Sequence, residues 1–210
     1  MAKLYFNYGT MGSGKSLHLL ATAHNFQLRR IPFLIFKSSL DTRDGNSIIH
    51  SRGIGERECI TISPNHNLFK TISEYLQPVF STIDTNAEKL KWILVDECQF
   101  LTEEQVNQLA AIVDRFGVNV SCYGLRTDFR TRLFPGSKRL MEVADTIEEI
   151  KSSCDCGKKT IFNARIDPEG NIISEGEQIE IGGDERYISL CRECYLKQVQ
   201  NSIYYPQIID

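Results

Sequence analysis

The stretch Gly9-Thr10-Met11-Gly12-Ser13-Gly14-Lys15-Ser16 leaves the chain little freedom in how it begins to fold. It fits the pattern of Gly, four residues, then Gly-Lys-Ser/Thr, in which a turn of backbone cradles phosphates. Residues 3–8 before it are mostly apolar and read as a strand. Residues 15 to about 29 after it read as a helix. That context is what the motif needs. Glycines let the backbone wrap close to an anion, and the turn amides and helix dipole then face negative charge. In such a loop Lys15 reaches the outer phosphates and the Ser16 hydroxyl ligates Mg²⁺. A bare glycine turn between a strand and a helix is the bland alternative, and the flanking pattern counts against it.

The 210 residues allow one full domain and a small second one. A formal charge of −3 argues against nucleic acid as the main partner, because that role needs a basic surface. No apolar run approaches the roughly 20 residues of a membrane span. The start Met-Ala-Lys-Leu-Tyr lacks the organisation of a signal peptide, so a cytoplasmic location is expected. In that compartment the seven cysteines are metal ligands or buried thiols rather than disulfides. Cys59, Cys98 and Cys122 lie singly in or beside apolar stretches and read as packing.

The first helix carries Leu17, Leu20, Ala21 and His24 on one face, continued by Leu28. Pro32 stops it, and residues 32–37 form a buried strand, completing a βαβ unit. Residues 38–58 are polar and lack periodicity; they read as a long surface loop at the C-terminal end of a strand, where ligands bind in open α/β sheets. Arg43 and Arg52 can meet phosphates there, or be solvated charges. A short strand at 59–63 and a helix at 67–77 follow, then a polar break at 84–88.

Residues 91–95 (Lys-Trp-Ile-Leu-Val) are the most strand-like run, and they end in Asp96-Glu97. An acidic pair at the tip of an apolar strand is the second half of a phosphate-loop site. Asp96 holds Mg²⁺ there, directly or through water. Glu97, one residue further out, can take a proton from an attacking hydroxyl or water. Thr102 and Gln105 make a capping box for a helix running to about residue 116, which Gly117 ends. A strand at 118–123 leads into Gly124-Leu125-Arg126-Thr127-Asp128-Phe129-Arg130-Thr131-Arg132. Three arginines beside Phe129 and Phe134 suit a charged, partly flat ligand. Pro135-Gly136 reads as a turn, 137–144 as a short helix and 146–150 as a last strand.

The C-terminal part opens with Cys154-Asp155-Cys156-Gly157, runs through a hairpin-like stretch and a turn at 167–170, and closes with Tyr187-Ile188-Ser189-Leu190-Cys191-Arg192-Glu193-Cys194. Two cysteine pairs, with Cys156 and Cys191 35 positions apart, suit a four-thiolate zinc site. Such a site is structural, because four protein ligands leave no open position. The first pair is Cys-x-Cys, tighter than the usual Cys-x-x-Cys.

Taken together, the chain resembles the type II thymidine kinase family, and its bacterial branch most closely. The marks are the loop at 9–16, Asp41-Thr42-Arg43, Val95-Asp96-Glu97-Cys98-Gln99-Phe100, Tyr123-Gly124-Leu125-Arg126-Thr127-Asp128-Phe129, and Ile181-Gly182-Gly183 leading to Tyr187 and Cys191. The resemblance implies an α/β fold: a mainly parallel, RecA-like P-loop sheet flanked by helices over residues 1–150 and a small zinc-binding lasso domain at 151–200; the tail at 201–210 gives no signal and is expected to be partly disordered. It implies transfer of the ATP γ-phosphoryl group to the 5′-hydroxyl of thymidine, with Glu97 as the base. The implied ATP site comprises Gly9, Thr10, Met11, Gly12, Ser13, Gly14, Lys15, Ser16, Asp96, Glu97, Cys98 and Gln99. Ser16 and Asp96 hold magnesium and Arg43 balances phosphate charge. Phe100, Phe129, Gln178, Ile179, Glu180, Ile181, Gly182 and Tyr187 form the nucleoside pocket. The zinc ligands are Cys154, Cys156, Cys191 and Cys194. A homotetramer, feedback inhibition by dTTP, and no nucleic-acid or membrane partner are likewise implied. The loop and acidic pair alone also fit an ATPase in which Glu97 activates water, or a nucleotide switch with a zinc-ribbon module. The negative charge and the acidic segment 175–185 count against the switch.

Overall fold

Strand β1 (Leu4–Gly9) delivers the glycine loop, and helix α1 (Lys15–Leu28) leaves it, as the motif requires. The computed structural model describes residues 1–41, 47–51, 55–76, 89–173, 175–178 and 186–198. Next come β2 (Phe33–Ser38), a hairpin of β3 (Ile48–Ser51) with β4 (Gly55–Glu58), β5 (Ile60–Ile62) and α2 (Leu68–Leu76). Then follow β6 (Trp92–Asp96), a 3₁₀ turn (Cys98–Phe100), α3 (Glu103–Phe116), β7 (Asn119–Gly124), α4 (Pro135–Val143) and β8 (Thr146–Ile150).

Six strands form one sheet in the order β5-β2-β6-β7-β1-β8, and every pairing in it is parallel. All strand C-termini therefore share one edge of the sheet. The glycine loop, the Asp96-Glu97 tip and the segment after Gly124 all leave from that edge. The fold is α/β, a mainly parallel sheet with helices on both faces. Alternation along the strands sorts the core. Phe6, Phe36, Ile93, Val95, Val120 and Cys122 face α2, α3 and α4, in a cluster with Leu68, Ile72, Val106, Leu109 and Leu140. Ile35, Leu94 and Tyr123 point the other way, onto Leu19, Leu20 and Ala23 of α1. Each fully buried Val, Leu, Ile or Phe among them contributes about 1.5–3 kcal/mol. Thr102 and Gln105 complete their capping box, and Gly117 closes α3 with φ 66°.

Three local readings are corrected. The buried face of α1 is Leu19, Leu20 and Ala23, whereas Leu17 and Leu28 are exposed. That helix is apolar on more than one side, so spacing does not single out the inward face. Ile48–Ser51 and Gly55–Glu58 are no plain loop: they pair as β3 and β4, and Ile49 is buried against α1. Pro135 starts α4 rather than a separate turn, since its missing N–H costs nothing in a first helical turn.

A second, antiparallel sheet has the order β10 (Ile172–Ile173), β9 (Phe162–Ile166), β11 (Tyr187–Leu190), and helix α5 (Arg192–Gln198) packs against it. Ala164, Leu190, Cys191 and Tyr195 form its own apolar cluster. The turn read at 167–170 is present, with the Gly170 N–H donating to the Asp167 carbonyl.

Candidate active site

The glycine loop is tightly drawn. Gly12 and Gly14 have φ of 69° and 85°, in the region that favours glycine. A Cβ on Gly9 would collide with Ser13 Oγ and lie 2.6 Å from the Ile150 carbonyl. Lys15 is buried and its Nζ donates to the Thr10 carbonyl at 2.8 Å. The Ser13 hydroxyl is buried without a hydrogen-bond partner. The Ser16 hydroxyl donates to Asp96 Oδ2 at 3.0 Å, so the loop and the acidic strand tip meet.

Asp96 is only 3% exposed, and its second oxygen, Oδ1, has no hydrogen-bond partner. Burial, and then the neighbouring Glu97 charge, push its carboxyl up to about 7. A buried carboxylate one partner short beside a hydroxyl is a donor set that a hard divalent cation satisfies through oxygen. Glu97 sits in the left-handed region at φ 50°, a backbone state that costs about 1–3 kcal/mol and gathers at functional sites. The Gln99 amide donates to Glu97 Oε2, and its carbonyl accepts from the Leu125 N–H at 3.0 Å. Gln99 thus ties Glu97 to the segment after β7. Gly124 allows this approach: a Cβ there would lie 2.6 Å from both Gln99 Oε1 and Cys98 Sγ. Cys98 packs in the larger core cluster, and burial lifts its thiol well above the usual range, which keeps it neutral.

A second group of side chains surrounds Phe129. The Arg165 guanidinium lies 3.9 Å from the Phe129 ring centre and also donates to Tyr187 Oη at 3.0 and 3.1 Å and to the Glu177 carbonyl at 3.0 Å. Gln178 donates to Asp128 Oδ2 at 2.9 Å. Phe100 meets Phe134 edge-on, ring centres 5.9 Å apart. The structure therefore brings Phe129, Gln178 and Tyr187 into one network through Arg165 and Asp128. Arg43, Ile179, Glu180, Ile181 and Gly182 lie outside the described residues, as do Arg52, the break at 84–88 and the tail.

The four cysteines converge. The sulfurs of Cys154, Cys156, Cys191 and Cys194 all lie within 4.8 Å of one another. A tetrahedral ion with sulfur ligands at about 2.3 Å needs sulfurs about 3.8 Å apart, and Cys156 and Cys191 already stand at 3.5 Å. Backbone hydrogen bonds at Cys156 and then Cys191 bring the Cys154 thiol down to about 7, which favours the thiolate that binds metal. The donor set fits one metal ion. No helix among the described residues is long and apolar enough to cross a membrane.

Comparison with known proteins agrees with this geometry. Residues 2–195 match the family model described as thymidine kinase. Over 193 residues the chain is 45% identical to a thymidine kinase of Mannheimia succiniciproducens, covering 91% of this chain and 94% of that one. A thymidine kinase of Haemophilus influenzae is 43% identical over 93% of this chain and 96% of its own. One from Rhizobium etli is 41% identical, with 91% and 92% covered. The chain belongs to the thymidine kinase family.

Several residues of this thymidine kinase family member escape a reading of the sequence. Asp128, Asn163, Arg165 and Ser189 are polar side chains whose partners lie far along the chain or in backbone. Lys37 gives some signal: a lysine at the end of an apolar strand, it is 1% exposed and pairs with Asp41 at 3.1 Å. Lys37 stands level with Asp96 on the adjacent strand, so this pair adds fixed charge at the same sheet edge.

Proposed function

We propose that the protein transfers the γ-phosphoryl group of ATP to the 5′-hydroxyl of thymidine, giving dTMP and ADP for DNA precursor synthesis. The observation that carries this reading is membership of the thymidine kinase family over residues 2–195, and the meeting of Ser16 with Asp96 at 3.0 Å, with Glu97 on the same strand tip, supplies the geometry it needs. In this reading residues 9–16 bind the ATP phosphates, with Asp96, Glu97, Cys98 and Gln99 bordering them. Lys15 and Arg43 balance phosphate charge. Ser16 and Asp96 hold Mg²⁺, which when bound neutralises charge building on the β- and γ-oxygens. Glu97 takes the proton of the thymidine hydroxyl as its oxygen bonds to the γ-phosphorus, and the bond to the β-bridging oxygen breaks. Gln99 holds that carboxylate in place.

Phe100, Phe129, Tyr187 and residues 178–182 form the nucleoside pocket, with the 178–182 segment closing over the base. Cys154, Cys156, Cys191 and Cys194 hold a structural zinc that anchors this segment, lowering the entropy lost when it closes. Residues 1–150 form the kinase domain, 151–200 the zinc-binding domain and 201–210 a tail. The enzyme is cytoplasmic, forms a homotetramer and is inhibited by dTTP. The test is incubation with ATP and Mg²⁺, with and without thymidine. Thymidine-dependent formation of dTMP is expected. Loss of ATP that ignores any added nucleoside would overturn the reading.

A further inference from the structure

The C-terminal sheet touches the glycine loop at one residue from two sides. Asn163 Oδ1 accepts from the Met11 N–H at 2.7 Å, and the Ser189 hydroxyl donates to the Met11 carbonyl at 2.8 Å. Asn163 and Ser189 are direct partners in the β9–β11 register, so a single rung of that sheet grips the residue. The Asn163 amide also donates to the Thr127 carbonyl at 3.3 Å, and Asn163 is 4% exposed. Next along the loop, the Thr10 hydroxyl meets those of Ser152 and Thr160, each at 2.8 Å.

Peptide planarity gives this grip a direction. In a trans peptide the C=O and N–H point to opposite sides, and no cis peptide is present among the described residues. Because the Met11 N–H turns toward Asn163, the Thr10 carbonyl must turn away from it, and there it accepts from Lys15 Nζ. Because the Met11 carbonyl turns toward Ser189, the Gly12 N–H must turn away from the sheet. The rung thus fixes both peptides flanking Met11, and with them the lysine contact and the first amide free to face an anion. Behind the rung lies the cysteine cluster: Cys191 directly follows β11, and the Ile161 N–H donates to the carbonyl of its last residue, Leu190.

We propose that Asn163 and Ser189 are positioning residues for the phosphate loop. The metal-bound C-terminal sheet sets the affinity for the donor nucleotide through them, in addition to carrying the nucleoside side. The inference rests on the reading of residues 9–16 as the ATP loop, and it makes the metal-binding module a part of the donor site.

Calorimetric titration of the full-length, metal-loaded protein with Mg²⁺-ADP and Mg²⁺-ATP tests it. Ser189→Ala and Asn163→Leu are each expected to weaken binding about three- to tenfold, the loss that follows from one hydrogen bond. Ser189→Thr, which keeps the hydroxyl, is expected to recover most of it. Hydrogen exchange at residues 11–13 should speed up in the Ala variant, with cysteine-bound metal retained. Removing that metal, with Mg²⁺ kept in excess, should weaken nucleotide binding in the unmodified chain and have less effect in the double variant. Unchanged nucleotide affinity in Ser189→Ala at full metal content, or after metal removal, would overturn the proposal. If Asn163→Leu does not fold, the Ser189 pair carries the test alone. Nucleotide affinity is read without any acceptor, so failure to phosphorylate thymidine would strike the functional reading and not this one.

Discussion

Asp96→Asn should stabilise the protein in the absence of nucleotide while disabling it. The Asp96 carboxyl is buried, one oxygen lacks a partner, and burial together with Glu97 raises it from the ordinary 3.8 to about 7. At about 1.4 kcal/mol per pKa unit, holding it ionised costs about 4 kcal/mol. The folded chain grips this proton more tightly than the unfolded one. Stability from this group is therefore highest at low pH, falls as pH rises from about 4 to about 7, and stays low above that. Asparagine removes the charge at nearly constant volume but brings an amide that needs partners, a cost of about 1–3 kcal/mol. The net gain at pH 8 is then about 1–3 kcal/mol, or roughly 2–10 °C in Tm for a chain of this size. Thermal unfolding at pH 4 and pH 8, without Mg²⁺ or nucleotide, measures it. The gap between variant and parent should open with pH. Saturating Mg²⁺-ATP should then raise the parent's Tm and leave the variant's nearly unmoved. A gap that is the same at both pH values, or a variant less stable at pH 8, would refute the electrostatic account.

Glu97→Gln should keep nucleotide affinity and lower turnover by roughly 10²-fold or more, as a lost general base does; near-normal single-turnover rates would remove Glu97 from that role. Arg165→Met should raise the thymidine KM by about tenfold while ATP affinity holds, because the ring contact to Phe129 and the bonds to Tyr187 and Glu177 go together; parallel KM measurements for the two substrates decide it. Atomic spectroscopy of carefully purified protein should find one zinc per chain, and Cys191→Ser should lose it; protein lacking the metal at full activity would exclude the cluster as a metal site.

What was legible in the sequence was local. The β1–loop–α1 unit, the acidic tip of β6 and the capping box of α3 are each written within a few consecutive residues, where one interaction dominates. The cysteine pairs are legible for a different reason, since two close pairs of thiols match the ligand pattern of a four-thiolate metal site. The inward face of α1 was not legible, because Leu17 and Leu28 compete with Leu19, Leu20 and Ala23 and only the sheet decides between them. The β3–β4 pair hides because β3 buries only Ile49 and β4 (Gly-Glu-Arg-Glu) buries nothing, so no alternation shows. Asn163, Arg165 and Asp128 were missed because a buried polar side chain is defined by its partner. Met11 is 152 positions from Asn163, and Gln178 is 50 from Asp128.

The strand order explains why these distant partners matter. β7 stands between β1, which carries the loop, and β6, which carries Asp96. With strands about 4.8 Å apart, the two tips are separated by roughly 10 Å, yet Ser16 meets Asp96 at 3.0 Å. The loop and the first turn of α1 must therefore lean across the end of β7. A leaning glycine loop has little stiffness of its own, so its direction depends on what braces it. On the β6 side the brace is the Ser16 hydroxyl bond to Asp96. On the far side it is the Asn163–Ser189 rung, gripping Met11. Gln99 performs the matching task for Glu97 by spanning from the β6 tip to Leu125, and Gly124 at the tip of β7 leaves it room. The same crossing of β7 thus sets the position of both the glycine loop and the Glu97 carboxylate. That is why one inserted strand and one distant sheet are needed to place Lys15, Ser16, Asp96 and Glu97, the residues that carry the chemistry in the proposed function.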